Sequence, residues 1–234
     1  LSYFSTFVAT IIFARKLNRV LRHRHHVAFP GDTVGVLLPP TVGAALTNIA
    51  LQLMGKVPVN LNYTASAEAV ASAAAKSGIE QVITAHAFLE KLPVKVPGEA
   101  IYLEDVKKSV TKVDRIVAIV LASLCILRIC PIRFIERIAG ARRKRNKDDL
   151  ATIIFSSGSE SEPKGVPLTH FNISSNIEAS LQVFPHDPNE SVIGILPFFH
   201  SFGFTGTLWL PLSRGFSAVY HPSPLEAKAI GELI

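Results

Sequence analysis

Cysteine is scarce in this chain of 234 residues: Cys125 and Cys130 are the whole complement. They lie inside an apolar run, at a spacing that fits neither a zinc site nor a disulfide framework. Buried free thiols in a reducing compartment are therefore expected. Apolar runs long enough to cross a bilayer are missing too. Ile116–Leu127 carries no charge but falls short of the roughly 20 residues a spanning helix needs. Phe7–Ala14 is shorter still. Its charges, Arg15, Lys16, Arg19 and Arg22, follow it, the reverse of a signal peptide. Charged residues make up only 18% of the chain, and the net charge is +6. That balance suits a nucleotide, an acidic protein or an anionic membrane surface without choosing among them. The basic run Arg142-Arg143-Lys144-Arg145 has no interleaved aromatics, which argues against a nucleic-acid site. His23, His25 and His26 stand among Arg22 and Arg24 with no carboxylate or cysteine nearby, and read as a solvated loop.

What the chain does have is aliphatic bulk, 48% hydrophobic residues, enough to bury a core. The pattern alternates short buried runs with helical spacing. Residues Leu1 to Arg22 read as an amphipathic helix capped by Ser2 or Ser5. Val34–Leu38, Val57–Leu61 and Ile79–Thr84 read as strands. Thr41–Met54, closed by Gly55, and Ser66–Ser77, closed by Gly78, read as the helices between them. Ile101–Leu103 is a further short strand. The rhythm returns with strands at Ala151–Phe155, Val192–Leu196 and Phe216–Tyr220 and a helix over Thr169–Val183. The fold class is α/β with mostly parallel βαβ layers. The chain starts at Leu1 and ends in a helix-like segment, so it is expected to be a piece of a longer polypeptide.

An apolar-basic insert, at about 113–147, breaks the rhythm. Arg128, Arg133 and Arg137 enter after the charge-free stretch, with Pro131 as a kink. Two readings stand. The segment is an interfacial helix on a membrane surface with a polybasic follow-on, or a long helix packed on its own domain with a solvated basic tail.

The densest chemistry lies in Ile153-Ile154-Phe155-Ser156-Ser157-Gly158-Ser159-Glu160-Ser161-Glu162-Pro163-Lys164-Gly165-Val166. A buried-strand run stops at a loop of small hydroxyl residues and glycine, followed by Pro-Lys-Gly and a helix-like segment. Such a loop can turn backbone N–H groups and hydroxyls onto a polyphosphate while one lysine supplies charge. It is not a Walker A loop, because Lys164 precedes Gly165 and no hydroxyl residue follows.

This order of residues resembles the phosphate-binding motif of the adenylate-forming (AMP-binding, acyl-CoA synthetase) superfamily. The run Gly35-Val36-Leu37-Leu38-Pro39-Pro40, the stretch Asn48–Leu53 and Gly55-Lys56-Val57-Pro58-Val59-Asn60-Leu61-Asn62-Tyr63-Thr64 resemble its N-terminal subdomain. Leu196-Pro197-Phe198-Phe199-His200-Ser201-Phe202-Gly203-Phe204 is similar, more narrowly, to the acyl-acyl-carrier-protein synthetase branch, the synthetase half of bifunctional 2-acylglycerophosphoethanolamine acyltransferase/acyl-ACP synthetases. The resemblance implies an incomplete large N-terminal domain of an acyl-adenylate synthetase over residues 1–234. It implies two reactions with ATP and Mg²⁺: a fatty acid becomes an acyl-adenylate, then a thioester on acyl-carrier protein or coenzyme A. Ser156, Ser157, Gly158, Ser159, Glu160, Ser161, Lys164 and Gly165 would hold the phosphates. His200 would stand where carboxylate and nucleotide meet, and Phe199, Phe202 and Trp209 would wall an acyl channel. A position on the cytoplasmic face of a bacterial inner membrane is implied as well.

Departures from the motif qualify this. Glu160-Ser161 stands where most members have Thr-Gly, so Glu160 places negative charge near the phosphates or ligates Mg²⁺. The downstream Tyr-Gly-x-Thr-Glu, a ribose-binding Asp and a C-terminal lysine are not in these residues, and no confident metal ligand is. The isolated polypeptide is expected to be inactive. The alternative is a degenerate nucleotide-binding or membrane-recruiting module.

Overall fold

The computed structural model describes residues 1–21, 33–92, 94–142, 144–156, 163–184, 187 and 189–233. His23, His25 and His26 and the loop residues Ser157, Gly158, Ser159, Glu160 and Ser161 lie outside them.

Helix α1 (Tyr3–Val20) starts at Ser2, whose hydroxyl accepts from Ser5 N–H at 3.2 Å. It buries Ile11, Ala14 and Leu17. Four strands then alternate with helices: β1 (Thr33–Val36), α2 (Val42–Leu53), β2 (Val57–Asn60), α3 (Ala67–Lys76), β3 (Gln81–Thr84), α4 (His86–Lys91), β4 (Glu99–Tyr102) and α5 (Leu103–Lys108). All pairings among the strands are parallel, in the order β2-β1-β3-β4. Every residue of β2 and β3 is buried, as expected when helices cover both faces. The N-caps are Thr41 and Ser66, and Gly55 ends α2 in left-handed backbone at φ 75°. Asn48 on α2 and Asn60 at the end of β2 exchange hydrogen bonds of 3.1 and 2.9 Å, so neither buried amide is orphaned.

The ends of these strands and helices lie within two residues of those read from sequence, and two six-residue helices, α4 and α5, occupy stretches to which the sequence reading gave no helix. The insert is a helical hairpin rather than one kinked helix. Helix α6 (Lys112–Ile126) and α7 (Ile132–Ala139) are separated by a corner, and Pro131 is the N-cap of α7. Proline has no N–H and fixes φ, so it begins the second helix instead of bending the first. Thr111 and Asp114 form a capping box at the start of α6. Asp114 also pairs with Lys16 of α1 at 2.6 Å, and Lys16 donates to Ser109 O at 2.7 Å. The bonds from Lys16 and Thr111 hold the Asp114 carboxyl well below the usual carboxylate range. Cys125 and Cys130 are free but half-buried, because the corner opens their side to solvent. Burial nonetheless raises the Cys125 thiol pKa.

The segment after the Ser/Gly loop corrects the sequence reading. Lys164–Thr169 is a strand, β6, antiparallel to β5 (Leu150–Ser156), and helix α8 (His170–Val183) begins only at the Thr169 cap. The loop therefore joins a hairpin, not a strand to a helix. Pro167 sits in β6, which pairs on one side only, the place a strand accepts proline. Pro58 likewise sits in β2, at the edge of the first sheet. Thr152 of β5 donates to Pro58 O at 2.8 Å, docking hairpin on sheet. The last unit pairs β7 (Ser191–Gly194) in parallel with β8 (Ser217–Tyr220). Between them run a π-helical segment, Gly203–Trp209, and α9 (Leu210–Arg214); α10 (Ala227–Gly231) follows β8.

Candidate functional site

The hairpin sets the neck of the hydroxyl-rich loop. Ser156 pairs across the strands with Lys164, and Phe155 with Gly165. A Cβ on Gly165 would meet the Phe155 ring at 3.0 Å and Ile153 at 3.1 Å, so glycine lets the ring lie flat over its partner strand. Lys164 is exposed. The sequence reading missed a second cation at this neck: Lys76, at the end of α3, donates from Nζ to Pro163 O at 3.1 Å. No motif marks Lys76; only the fold brings α3 to the hairpin.

A cavity of about 400 Å³ opens beside the neck. Asn62, Thr64 and Ser66 line it from the turn after β2, and Phe155, Ser156 and Pro163 from the hairpin. This is the carboxyl end of a parallel strand, where open α/β sheets bind ligands. The turn is held locally: Asn62 Oδ1 accepts from Thr64 N–H at 2.9 Å and from Thr64 Oγ1 at 2.7 Å.

The same turn reaches the His200 segment. Tyr63 meets Phe199 edge to face at 5.1 Å and Phe88 at 5.2 Å. Phe199 in turn lies 5.2 Å from the His200 ring. His200 is exposed, so it is not packed among the phenylalanines. Its backbone is fixed at the start of a helical stretch, with Phe204 N–H donating to His200 O at 2.9 Å. Gly203 lets that stretch press back on the strand exit, because a Cβ there would overlap the carbonyl oxygens of Leu196 and Pro197. Thr207 Oγ1 donates to Gly203 O at 2.7 Å, and Tyr220 OH donates to Thr207 O at 2.9 Å. Burial raises the Tyr220 pKa, so this phenol stays a donor.

The three aromatic channel candidates are not brought together. Phe199 is buried against Tyr63, Phe202 is 69% exposed, and Trp209 packs on Phe204. Trp209 borders a separate cavity of about 290 Å³, walled by Ala151, Ile173 and Ile177 and by the polar Gln52 and Lys147. Trp209 Nε1 and Gln52 Oε1 are buried without a hydrogen-bond partner among the described residues. Among those residues no group of three metal-ligating side chains occurs. Glu160, the sequence candidate for Mg²⁺, lies outside them.

Solved structures place this architecture. The O-succinylbenzoate coenzyme A synthetase MenE of Bacillus subtilis, in complex with ATP and magnesium ion, superposes at a TM-score of 0.72 with 20% identity, over 97% of this chain and 41% of that one. A fatty acyl-adenylate ligase from L. pneumophila, in complex with acyl adenylate and pyrophosphate, gives 0.70 with 19% identity, over 100% and 36%. The fold is the α/β fold of the N-terminal domain of acyl-adenylate synthetases.

The chain belongs to the AMP-binding enzyme family, whose model matches residues 12–234. Curated relatives align over shorter stretches. A probable 4-coumarate–CoA ligase 3 of Dictyostelium discoideum is 42% identical over 76 residues, 32% of this chain and 14% of the relative. A long-chain-fatty-acid–CoA ligase of Bacillus subtilis is 37% identical over 86 residues, 35% and 15%. The medium-chain-fatty-acid–[acyl-carrier-protein] ligase TtuA of Teredinibacter turnerae is 38% identical over 68 residues, 29% and 11%. The matched stretches are therefore a small part of each curated relative, and the chain spans about a third to a half of the solved structures it superposes on.

Proposed function

We propose that this chain is the phosphate-gripping part of an acid–thiol ligase that activates a long-chain fatty acid with ATP and passes it to acyl-carrier protein or coenzyme A. The observation that carries the reading is the convergence on one turn, Asn62–Thr64. That turn borders Ser156 at the loop neck and, through Tyr63 and Phe199, touches the His200 segment. Relatives that ligate fatty acids to coenzyme A or to a carrier protein support the substrate class.

In the first step a carboxylate oxygen attacks the α-phosphorus of ATP, the bond to the bridging oxygen breaks, and pyrophosphate leaves. Two anions must approach, so the barrier is electrostatic. Lys164, Ser156 and the hydroxyls of Ser157 and Ser159 hold the β- and γ-phosphates, with Gly158, Glu160, Ser161 and Gly165 shaping the loop. A magnesium ion bound with ATP would neutralise further phosphate charge; Glu160 is the side chain of this chain offered for it. His200 orients the acyl carboxylate. In the second step a phosphopantetheine thiol displaces AMP from the acyl carbon. Phe199, Phe202 and Trp209 are the acyl-channel candidates, and a cavity borders Trp209.

The reading extends to the bifunctional acyltransferase branch, and so to phospholipid metabolism. It extends also to a membrane surface met through residues 116–147, at the cytoplasmic face of a bacterial inner membrane. Exposed aliphatic side chains in the insert support the latter.

The test is pyrophosphate exchange by a complete version of the protein across a fatty-acid series, with each thiol acceptor. Exchange that depends on a long-chain acid is expected, with none from residues 1–234 alone. Nucleotide binding without exchange in the complete protein would favour the degenerate module. Failure to bind ATP with magnesium would sink both readings.

A further inference from the structure

From Ile116 to its end, helix α6 carries no charge on any side, and the domain buries only one side. Ala118, Leu121 and Ala122 are buried in a cluster with Ile11 of α1 and Ile135 of α7. On the opposite side Val113, Ile116, Val120 and Leu127 recur at helical spacing, and all are exposed. This stripe runs into the α6–α7 corner, where Ile129, Ile132 and Phe134 are exposed as well, Ile129 to 68%. No acidic residue occurs between Asp114 and Glu136. The charges interrupting the surface are Arg115, Arg128 and Arg133, all exposed.

The corner is held in a conformation its sequence does not favour. Helix α6 ends in a Schellman arrangement, with Ile129 N–H donating to Leu124 O and Arg128 N–H to Cys125 O, each at 3.0 Å. Arg128 therefore takes the left-handed position, φ 60°, that glycine ordinarily fills. The residue after it usually folds its apolar side chain back onto the helix. Ile129 stands in solvent instead. A strained cation and an aliphatic side chain are thus presented side by side at a tip, and the packing of the domain requires neither.

We propose that the outer face of α6 and the α6–α7 corner lie on an anionic bilayer. Leu127, Ile129 and Phe134 enter the boundary between headgroups and acyl chains, and Arg128 and Arg133 meet lipid phosphates. The surface carries charge of one sign among aliphatics, which complements phosphate headgroups. Helix α6 lies along the membrane and does not cross it: 15 residues at about 1.5 Å each fall short of a hydrocarbon core of about 30 Å. Among the described residues no helix is long and apolar enough to span. The basic run after α7 does not present all of its cations to the surface. Arg145 is drawn into the domain, donating to Leu150 O at 3.0 Å and Lys56 O at 3.2 Å. This inference rests on the membrane-surface part of the proposed function, not on its ligase part.

Co-sedimentation of the chain with vesicles of phosphatidylcholine, alone or mixed with phosphatidylglycerol, tests it. Binding to the mixed vesicles that weakens with added salt is expected. Leu127→Glu with Ile129→Glu should lower partitioning by more than about tenfold. Arg128→Gly should lower it about fivefold while raising the thermal midpoint, since the left-handed strain is relieved. A damaged fold cannot mimic that pair of results. If the wild type binds and these variants bind equally well, the corner is excluded while membrane association stands. If the wild type binds neither vesicle, both fail. Equal binding to both vesicle types would overturn the anionic surface. Self-association that the double Glu variant abolishes, without vesicle binding, would assign the face to a second copy and overturn the proposal.

Discussion

Tyr63 and Phe199 meet edge to face, with ring centres 5.1 Å apart and planes at 85°. Tyr63 follows β2 of the first sheet, whereas Phe199 follows β7 of the last and precedes His200. Through this one contact the histidine segment is registered against the turn that borders Ser156. Burial pushes the Tyr63 pKa up to about 12, so the ring stays neutral and apolar in character at ordinary pH.

Tyr63→Ala should cost about 2 kcal/mol in urea unfolding, from lost burial and two ring contacts. Tyr63→Phe keeps both contacts and should stay within about 0.5 kcal/mol. In the complete protein the alanine variant should also slow pyrophosphate exchange. Normal exchange would show that the contact does not position His200.

Lys164 is exposed at the loop neck, so Lys164→Ala should leave stability unchanged within about 0.5 kcal/mol. It should weaken ATP binding by the complete protein about tenfold or more, the loss of one charge-assisted contact. Ser161→Gly should leave ATP affinity equal or higher. Calorimetric titration separates the two, and a large loss in the glycine variant would displace the loop from the nucleotide.

Gly165→Ala drives a methyl group onto the Phe155 ring and should destabilise by about 1–3 kcal/mol. Phe155→Ala in the same chain should recover part of that loss beyond additivity, because the clash is removed. A double-mutant cycle from urea midpoints measures the coupling, which should exceed about 0.5 kcal/mol.

His170 gives the fold an acid-sensitive element. Arg145 Nη1 lies 3.3 Å from His170 Nε2, an arrangement only a neutral imidazole can accept. Burial, then the Arg145 guanidinium, lowers the His170 pKa below its ordinary value of 6.5, with Asp149 opposing. As pH falls below 6.5 the unfolded chain takes up a proton that the folded chain still refuses. Stability present at neutral pH is therefore lost on acidification through that range. Urea midpoints should decline from pH 6.5 downward, and His170→Gln should make that first decline shallower. Identical pH profiles for the two proteins would remove His170 from this role.

Much of the architecture was legible because buried parallel strands leave continuous aliphatic runs, such as Val57–Leu61, between capped helices. The hairpin was not. Val166-Pro167-Leu168 is too short and too interrupted to announce a strand, and its identity depends on pairing with Ile154 and Ile153 across the loop. Helices α4 and α5 have six residues each, below the length at which periodicity can be read. The phosphate motif and His200 were visible as residue patterns, but Lys76 was not, since it reaches Pro163 only through tertiary packing. The separation of the aromatic trio was not legible either. Phe199, Phe202 and Trp209 are near in sequence, yet Phe199, in the turn before the helical stretch, packs on Tyr63, Phe202 is 69% exposed and Trp209 packs on Phe204, so nearness along the chain did not bring them to one cavity.

The contact between β2 and β5 has a mechanical implication. Thr152 of β5 bridges it to Pro58 O, and Gln52 of the neighbouring helix α2 reaches Ala151 O beside it, while among the described residues no backbone ladder joins the two strands. A ladder slides only in whole registers, but a seam stitched by rotatable side chains can shear by fractions of an ångström with its backbone bonds intact. Strands β5 and β6 would then move against the first sheet as one stiff unit, and amide exchange within them would stay slow even as the unit shifts.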